Sequence, residues 1–453
     1  MSKIRLHGSS SGYTEIAPVA ASGNNTLTLP NDGTIISKDS NGAVGVTSVV
    51  TTTATITTAK VGAAVTISES GIEASGIGIT VANINGTQIG GRKNLIINGD
   101  MRVAQRNTSS NSTGFVSVDR MSQQHSGTDE APSYAQVDVS SGTTPYTLGF
   151  RKAFKITNGN QTSGAGSSDY VYWWTILEAQ DVSNSGWNYT SASSFITLSF
   201  WIKSSVAQNF YGFLQTGDGT SQSLAYETGS LTADTWTKIV KTIPGNSNLE
   251  FGNDNGAGLY WAPARAFDGT DRTASMSLDT WATYSGSART PDATSTWYTT
   301  NDATLEITGL QMEVGSQATV FEHRSIAEEL LLCQRYCQVF EGPNNSQGGD
   351  SSQTALCENC TLYTSTSLFM SIPTKVSMRA KPSMSVATGT NYYAVYTNGA
   401  GYDLTGSNLN MNGNTGTEFF VLNHTTNTVG TSGHSALFRL NNTNAKVTFD
   451  AEL

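Results

Sequence analysis

Apolar residues alternate with polar ones over most of this chain, and recur at helical spacing in one place only. Leu305 and Ile307 alternate with Thr304, Glu306 and Thr308, after which the apolar parity shifts to Leu310, Met312 and Val314. Gly309 stands at the shift, which predicts a β-bulge. In FITLSFWIK, Ile196, Leu198, Phe200 and Ile202 share one face, and Phe195, Thr197, Ser199, Trp201 and Lys203 share the other. A face that mixes Thr, Ser and Lys with Trp is not a dry core, so Trp201 is expected on a half-exposed sheet surface. NFYGFLQ (Asn209 to Gln215) and WTKIVKTIP (Trp236 to Pro244) follow at hairpin spacing. With the strand ending at Val314 they predict a two-sheet sandwich.

The helical pattern begins at Ser325, where Glu328 three residues on completes a capping box that satisfies orphaned backbone N–H groups. Ile326, Leu330, Cys333, Cys337 and Phe340 then recur at the 3.5-residue spacing of a coiled-coil seam. This predicts a helix over 325–340, either packed on its own domain or forming a short collar where identical chains meet. About two heptads are too few for an isolated coiled coil. Beyond a Gly, Asn and Ser loop, TLYTSTSLFMSI, ALFRL and VTFDAEL alternate again, the last placing Val447, Phe449, Ala451 and Leu453 on one face. A second, smaller β sandwich is expected over 341–453. NTLTLP (Asn25 to Pro30), AVTIS (Ala64 to Ser68) and GITVANI (Gly78 to Ile84) are short strand-like pieces between Gly, Asn and Ser turns.

Composition divides the chain further. Residues 1–93 hold a single aromatic, Tyr13, whereas all eight Trp lie between Trp173 and Trp297. A segment so poor in large apolar groups does not offset an ordering cost of about 1 to 2 kcal/mol per residue with a monomeric core. Its β-branched alternation favours an intertwined, oligomer-dependent stalk over a flexible linker. NLIINGD, Asn94 to Asp100, reads as a strand ending in an Asn-Gly turn and opens a central sandwich over 94–324. Charged residues make up 13% of the 453, against about 25% in an ordinary soluble chain, and Gly, Ser, Thr and Asn fill the gap. The whole is expected to be all-β. The net charge of −10 is spread without acidic blocks and argues against nucleic acid or an anionic membrane as partner. With neither an apolar run long enough to span a bilayer nor a secretory h-region, the chain is expected to be made in a cytoplasm and to stay soluble.

Candidate chemistry is sparse. Cys333, Cys337, Cys357 and Cys360 have a spacing that a tetrahedral zinc site permits, and disulfides or unlinked buried thiols are the alternatives, the last being favoured. No metal or cofactor is therefore expected. The five His are scattered, no H-E-x-x-H or G-x-S-x-G occurs, and neighbouring acids such as Asp129 and Glu130, or Glu328 and Glu329, are ordinary solvated groups. No catalytic residue is assigned, and no enzyme is expected. Sugar binding has a clearer route, since pyranose C–H faces stack on exposed aromatic planes while polar rims hold the hydroxyls. The candidates are Trp201 and Tyr211 on strands, and Trp261 and Trp281 in loops beside Arg265, Asp268 and Asp271. A sandwich of this size uses most of its Trp as core, so one or two of the eight are expected outside. The acidic turn DGTD, Asp268 to Asp271, offers oxygen ligands for calcium but is too short to be specific.

NLIINGD, ITLSFWIKS, TADTWTKIVKTIP and ATLEITGLQMEVGSQATVFEHR together resemble the jelly-roll carbohydrate-binding modules of families 4 and 9, over about 94–324. The order of SGNNTLTLP, the jelly roll, VFEHRSIAEELLLCQRY and VTFDAEL resembles bacteriophage tail-fibre proteins, especially those of phages of marine cyanobacteria. The resemblance implies a homotrimeric fibre. It implies attachment to other virion tail proteins through the N-terminal region, C-terminal domains turned toward a host cell-surface glycan, and location in the virion tail after assembly in the host cytoplasm. The chain departs from such fibres at Cys337, where they carry an aromatic. A purely structural spacer and a glycan depolymerase are the competing readings.

Overall fold

The computed structural model describes residues 92–269, 276–343, 353–425 and 430–453, together with five short strands nearer the N-terminus. The chain falls into two compact units, Met1–Thr80 and Val81–Leu453. In the first, Ile4–His7 pairs with Tyr13–Ile16, and Thr58–Val61, Val65–Ser68 and Gly71–Ala74 form an antiparallel meander. Val65–Ser68 is the AVTIS piece. NTLTLP, GITVANI and most of the expected stalk lie outside the described residues.

The larger unit is nearly all β and holds two sandwiches with separate cores. The main strands of the first are β1 (Ser122–Ser126), β2 (Ser133–Asp138), β3 (Lys152–Thr157), β4 (Tyr170–Glu178), β5 (Phe195–Ser204) and β6 (Asn209–Thr216). They continue as β7 (Gln222–Ser230), β8 (Thr237–Pro244), β9 (Ala257–Arg265), β10 (Phe267–Asp268) and β11 (Thr304–Val314). One antiparallel sheet runs β8-β5-β11-β3-β2 and ends on a two-residue strand at Ser109–Ser110. The other runs β10-β4-β9-β6-β7, with β1 also paired to β4 and a short strand, Ala282–Thr283, on β7. The core lies between them: Ile196, Leu198, Phe200 and Ile202 on β5 meet Trp173, Trp261, Leu214 and Leu224 from the facing sheet. Phe200 meets Trp261 edge-on at 6.0 Å. The bulge predicted at Gly309 is present. Ser199 pairs with Gln311 but Trp201 with Thr308, and Gly309 takes φ +68°.

The helix, α1, is shorter than its pattern. It runs Ile326–Gln334, with the Ser325 hydroxyl accepting the Glu328 N–H as the capping box requires, while the Glu328 carboxylate pairs with Arg92 instead of returning to Ser325. Cys337 and Phe340 belong to a strand, Cys337–Glu341, which pairs antiparallel with Lys446–Asp450. The 3.5-residue spacing over 325–340 therefore joins two elements. Ile326 is 53% exposed and Cys333 fully buried, so the would-be seam also faces two environments.

The second sandwich packs a three-stranded sheet, Cys337–Glu341, Lys446–Asp450 and Ser383–Val386, against a seven-stranded one centred on Thr354–Thr364 and Ser435–Leu440. Phe449 of the smaller sheet stacks on Phe420 of the larger, their centroids 3.6 Å apart and their planes nearly parallel. Cys357 and Cys360 lie on the Thr354–Thr364 strand, where two bulges let both enter the core.

Candidate functional site

The two faces of the β4-containing sheet have different uses. Along β4, YVYWWTILE, Val171, Trp173 and Leu177 enter the core, and Tyr170, Tyr172 and Trp174 point away from it. On β9, Leu259 and Trp261 go inward and Tyr260 and Ala262 outward. Tyr211 on β6 pairs with Arg265 and Phe213 with Ala262, so a bulge at Pro263 and Ala264 brings Arg265 onto the outer face. Phe210 and Leu214 of β6 are core, while Tyr211, Phe213 and Gln215 share the outer face. Gly212 between them has no room for a side chain: a Cβ there would lie 2.5 Å from the Tyr226 hydroxyl and 2.4 Å from the Pro263 carbonyl oxygen.

The outer face is therefore an aromatic row. Ring centroids of Tyr170 and Tyr172 are 5.5 Å apart, those of Tyr172 and Trp174 5.5 Å, and those of Trp174 and Tyr260 5.2 Å. Tyr170, Trp174, Tyr260 and Tyr211 are half-buried, while Tyr172 and Phe213 are covered by their neighbours. The Arg265 guanidinium lies 4.4 Å above the Tyr172 ring and 5.5 Å from Phe213, and is itself buried against Asp268 and Thr290. Arg289 reaches the same tyrosine from the following segment, donating to its hydroxyl at 3.3 Å. Burial pushes the Tyr172 phenol up, opposed by the two guanidinium groups. Gln124, opposite Tyr172 on β1, and Gln215 supply half-buried amides beside the rings.

The four aromatics singled out in the sequence do not converge. Trp261 is a correction: it lies on β9 rather than in a loop, fully buried, and its indole N–H donates to the Tyr226 hydroxyl at 2.7 Å. Trp281 is in a loop but buried, its N–H held by the Pro244 carbonyl at 2.9 Å, so neither plane is open to a sugar. Trp201 is half-buried as expected, but on the outer face of the opposite sheet, packed with Trp236 and Phe321 on a small cluster around Phe150. Tyr211 alone shares the aromatic face. Of the polar groups named with them, Arg265 and Asp268 come together on that face, and Asp271 lies outside the described residues. The Cys333–Cys337 pair lies apart from the core that takes Cys357 and Cys360, and no cluster of three or more metal-ligating side chains forms among the described residues.

No family model matches the chain, and no curated protein matches it. Solved structures do overlap with it. The enzymatically active domain of tailspike protein 4 of bacteriophage CBA120 overlaps 49% of this chain at 8% identity and a TM-score of 0.26, with 21% of its own length covered. A putative sugar-binding protein of Bacteroides thetaiotaomicron overlaps 49% at 12% identity and a TM-score of 0.27, with 99% of its length covered. A family 30 carbohydrate-binding module overlaps 49% at 10% identity and a TM-score of 0.22, with 89% of its length covered. This chain thus spans about a fifth of the tailspike domain.

Tyr170, Tyr172 and Trp174 escape the sequence reading because β4 carries aromatics on both faces. Trp173 and Trp174 are adjacent, so the run looks uniformly apolar, and only the partner strand tells inside from outside. The period-two spacing of Tyr170, Tyr172 and Trp174 is the signal that was there to be found.

Proposed function

We propose that the outer face of the β4 sheet binds a glycan chain reversibly and without cleaving it. We further propose that the protein is a bacteriophage tail fibre that attaches the virion to the host cell surface through such a glycan. The aromatic row carries this reading: four rings follow one another at 5.2 to 5.5 Å on a sheet face that the core does not use. The half-buried rings of Tyr170, Trp174 and Tyr260 suit the C–H faces of sugar residues, with Gln124, Gln215 and Arg289 at hand for hydroxyls. The virion setting is supported by the order of sequence strings from SGNNTLTLP to VTFDAEL. In that setting the protein is a homotrimer whose N-terminal region holds other virion tail proteins, and linked weak sites gain avidity without new contacts.

Binding of the purified full chain to an immobilised glycan array tests the site. Trp174→Ala and Tyr260→Ala should each lower retention about tenfold, the equivalent of about 1.4 kcal/mol of lost stacking. A double variant that binds as the unaltered protein does would sink the proposal. Release of reducing ends during the assay would replace binding with depolymerisation.

A further inference from the structure

We infer that Arg289 makes the aromatic face selective for an acidic glycan, one bearing carboxylate or sulfate groups; the inference rests on that face being the glycan site. Arg289 is half-buried at the hydroxyl end of Tyr172, and its only hydrogen bond among the described residues is the one it donates to that phenol. Its Nε is buried without a hydrogen-bond partner, and it forms no ion pair among the described residues. A guanidinium has five N–H donors in a planar fork, so most of its capacity is unspent and held beside the rings.

The contrast with its neighbour sets the charge of the face. Arg265, stacked on the same tyrosine, is matched by Asp268, whereas Arg289 adds a cation that no carboxylate among the described residues pairs with. Several arginines elsewhere in this unit are matched, Arg102 with Asp100, Arg106 with Asp450, Arg120 with Glu452, Arg324 with Glu329 and Arg335 with Glu178. Arg151 and Arg379 instead donate to backbone carbonyls and Arg439 to the Gln353 amide, away from the aromatic face. Glu227, at the far edge of the face, takes the Asn209 amide. The chain carries a formal charge of −10, so a general field would repel an acidic polysaccharide. Attraction must be local, and a fork of N–H groups matches two oxygens of a carboxylate or sulfate in geometry as well as charge.

The test uses the full chain on matched glycan pairs at physiological salt: oligogalacturonate with its carboxyl-reduced counterpart, and a κ-carrageenan oligosaccharide with its desulfated counterpart. The expected result is retention on an acidic member at least about tenfold above its neutral partner. Arg289→Gln should abolish that difference, Arg289→Lys should keep part of it, and neither should shift Tm. Equal retention of both members, or an Arg289→Gln variant that keeps the difference, overturns the inference. Neutral glycans retained by the protein and lost in Trp174→Ala overturn the selectivity while leaving the glycan face standing. Retention of no member of any pair, or retention unaffected by Trp174→Ala with Tyr260→Ala, overturns the glycan face and the inference with it.

Discussion

Trp173 and Trp174 are consecutive, yet removing them should have unlike results. Trp173 meets Phe154 edge-on at 5.2 Å inside the core, while Trp174 leans on Tyr260 outside it. Trp261 belongs with the first kind: sealed between Phe200 and the Tyr226 hydroxyl, it should cost about 3–5 kcal/mol of stability when changed to Ala, measured by denaturant unfolding. Trp174→Ala should leave the unfolding midpoint nearly unchanged. Gly256, Gly258 and Pro263 make the surroundings of Trp261 look like a loop, and the register with Thr175 that makes it a strand is a long-range fact no local pattern carries. His424 gives a second test. It enters the second core beside Phe438, and burial lowers its pKa from 6.5 to about 4. The folded state holds it neutral while the unfolded state protonates below 6.5, so the stability it allows is lost as pH falls from 6.5 toward 4. Up to about 3 kcal/mol should go over that range, and His424→Leu should flatten the dependence seen in thermal unfolding.

Elements whose pattern is local were legible. The alternation of β5 and β11, the bulge at Gly309 and the Ser325 cap follow from residues within a few positions of each other. Gly309→Ala should be costly in two ways, because φ +68° disfavours a side chain and a Cβ would lie 2.7 Å from the Phe150 ring. A loss of about 2 kcal/mol or more is expected in urea titration. The length of α1 was not legible. A 3.5-residue spacing continues through Cys337 and Phe340, but CQVFE finds KVTFD, more than a hundred residues away, and pairing with it ends the helix. Spacing records which residues want burial; it does not say which surface buries them.

Across the larger unit, buried charge ties the two sandwiches together. Arg106 bonds Asp450 at 2.7 Å and approaches Glu452 at 3.3 Å, Arg120 pairs with the same Glu452, and the Arg120 guanidinium lies 3.5 Å over the Tyr336 ring. Burial would raise the Glu178 carboxyl, but donors on Arg335 and Tyr336 outweigh it and hold the group below its ordinary value. Glu452→Gln leaves two buried guanidinium groups short of a partner and should cost about 3–5 kcal/mol. Scanning calorimetry of a chain starting at Lys93 should show both sandwiches melting in one transition, and Glu452→Gln should lower or split it. Light scattering tests the proposed fibre: a trimer at full length that falls to monomer when the chain starts at Lys93 is expected if the N-terminal region drives assembly. The two-faced design of the β4 sheet has an evolutionary corollary. Positions 171, 173 and 261 are answerable to folding, and positions 170, 174 and 260 to whatever lies outside, so on the proposed function a lineage can trade one adhesive target for another by substitutions at every second residue while its scaffold is inherited unchanged.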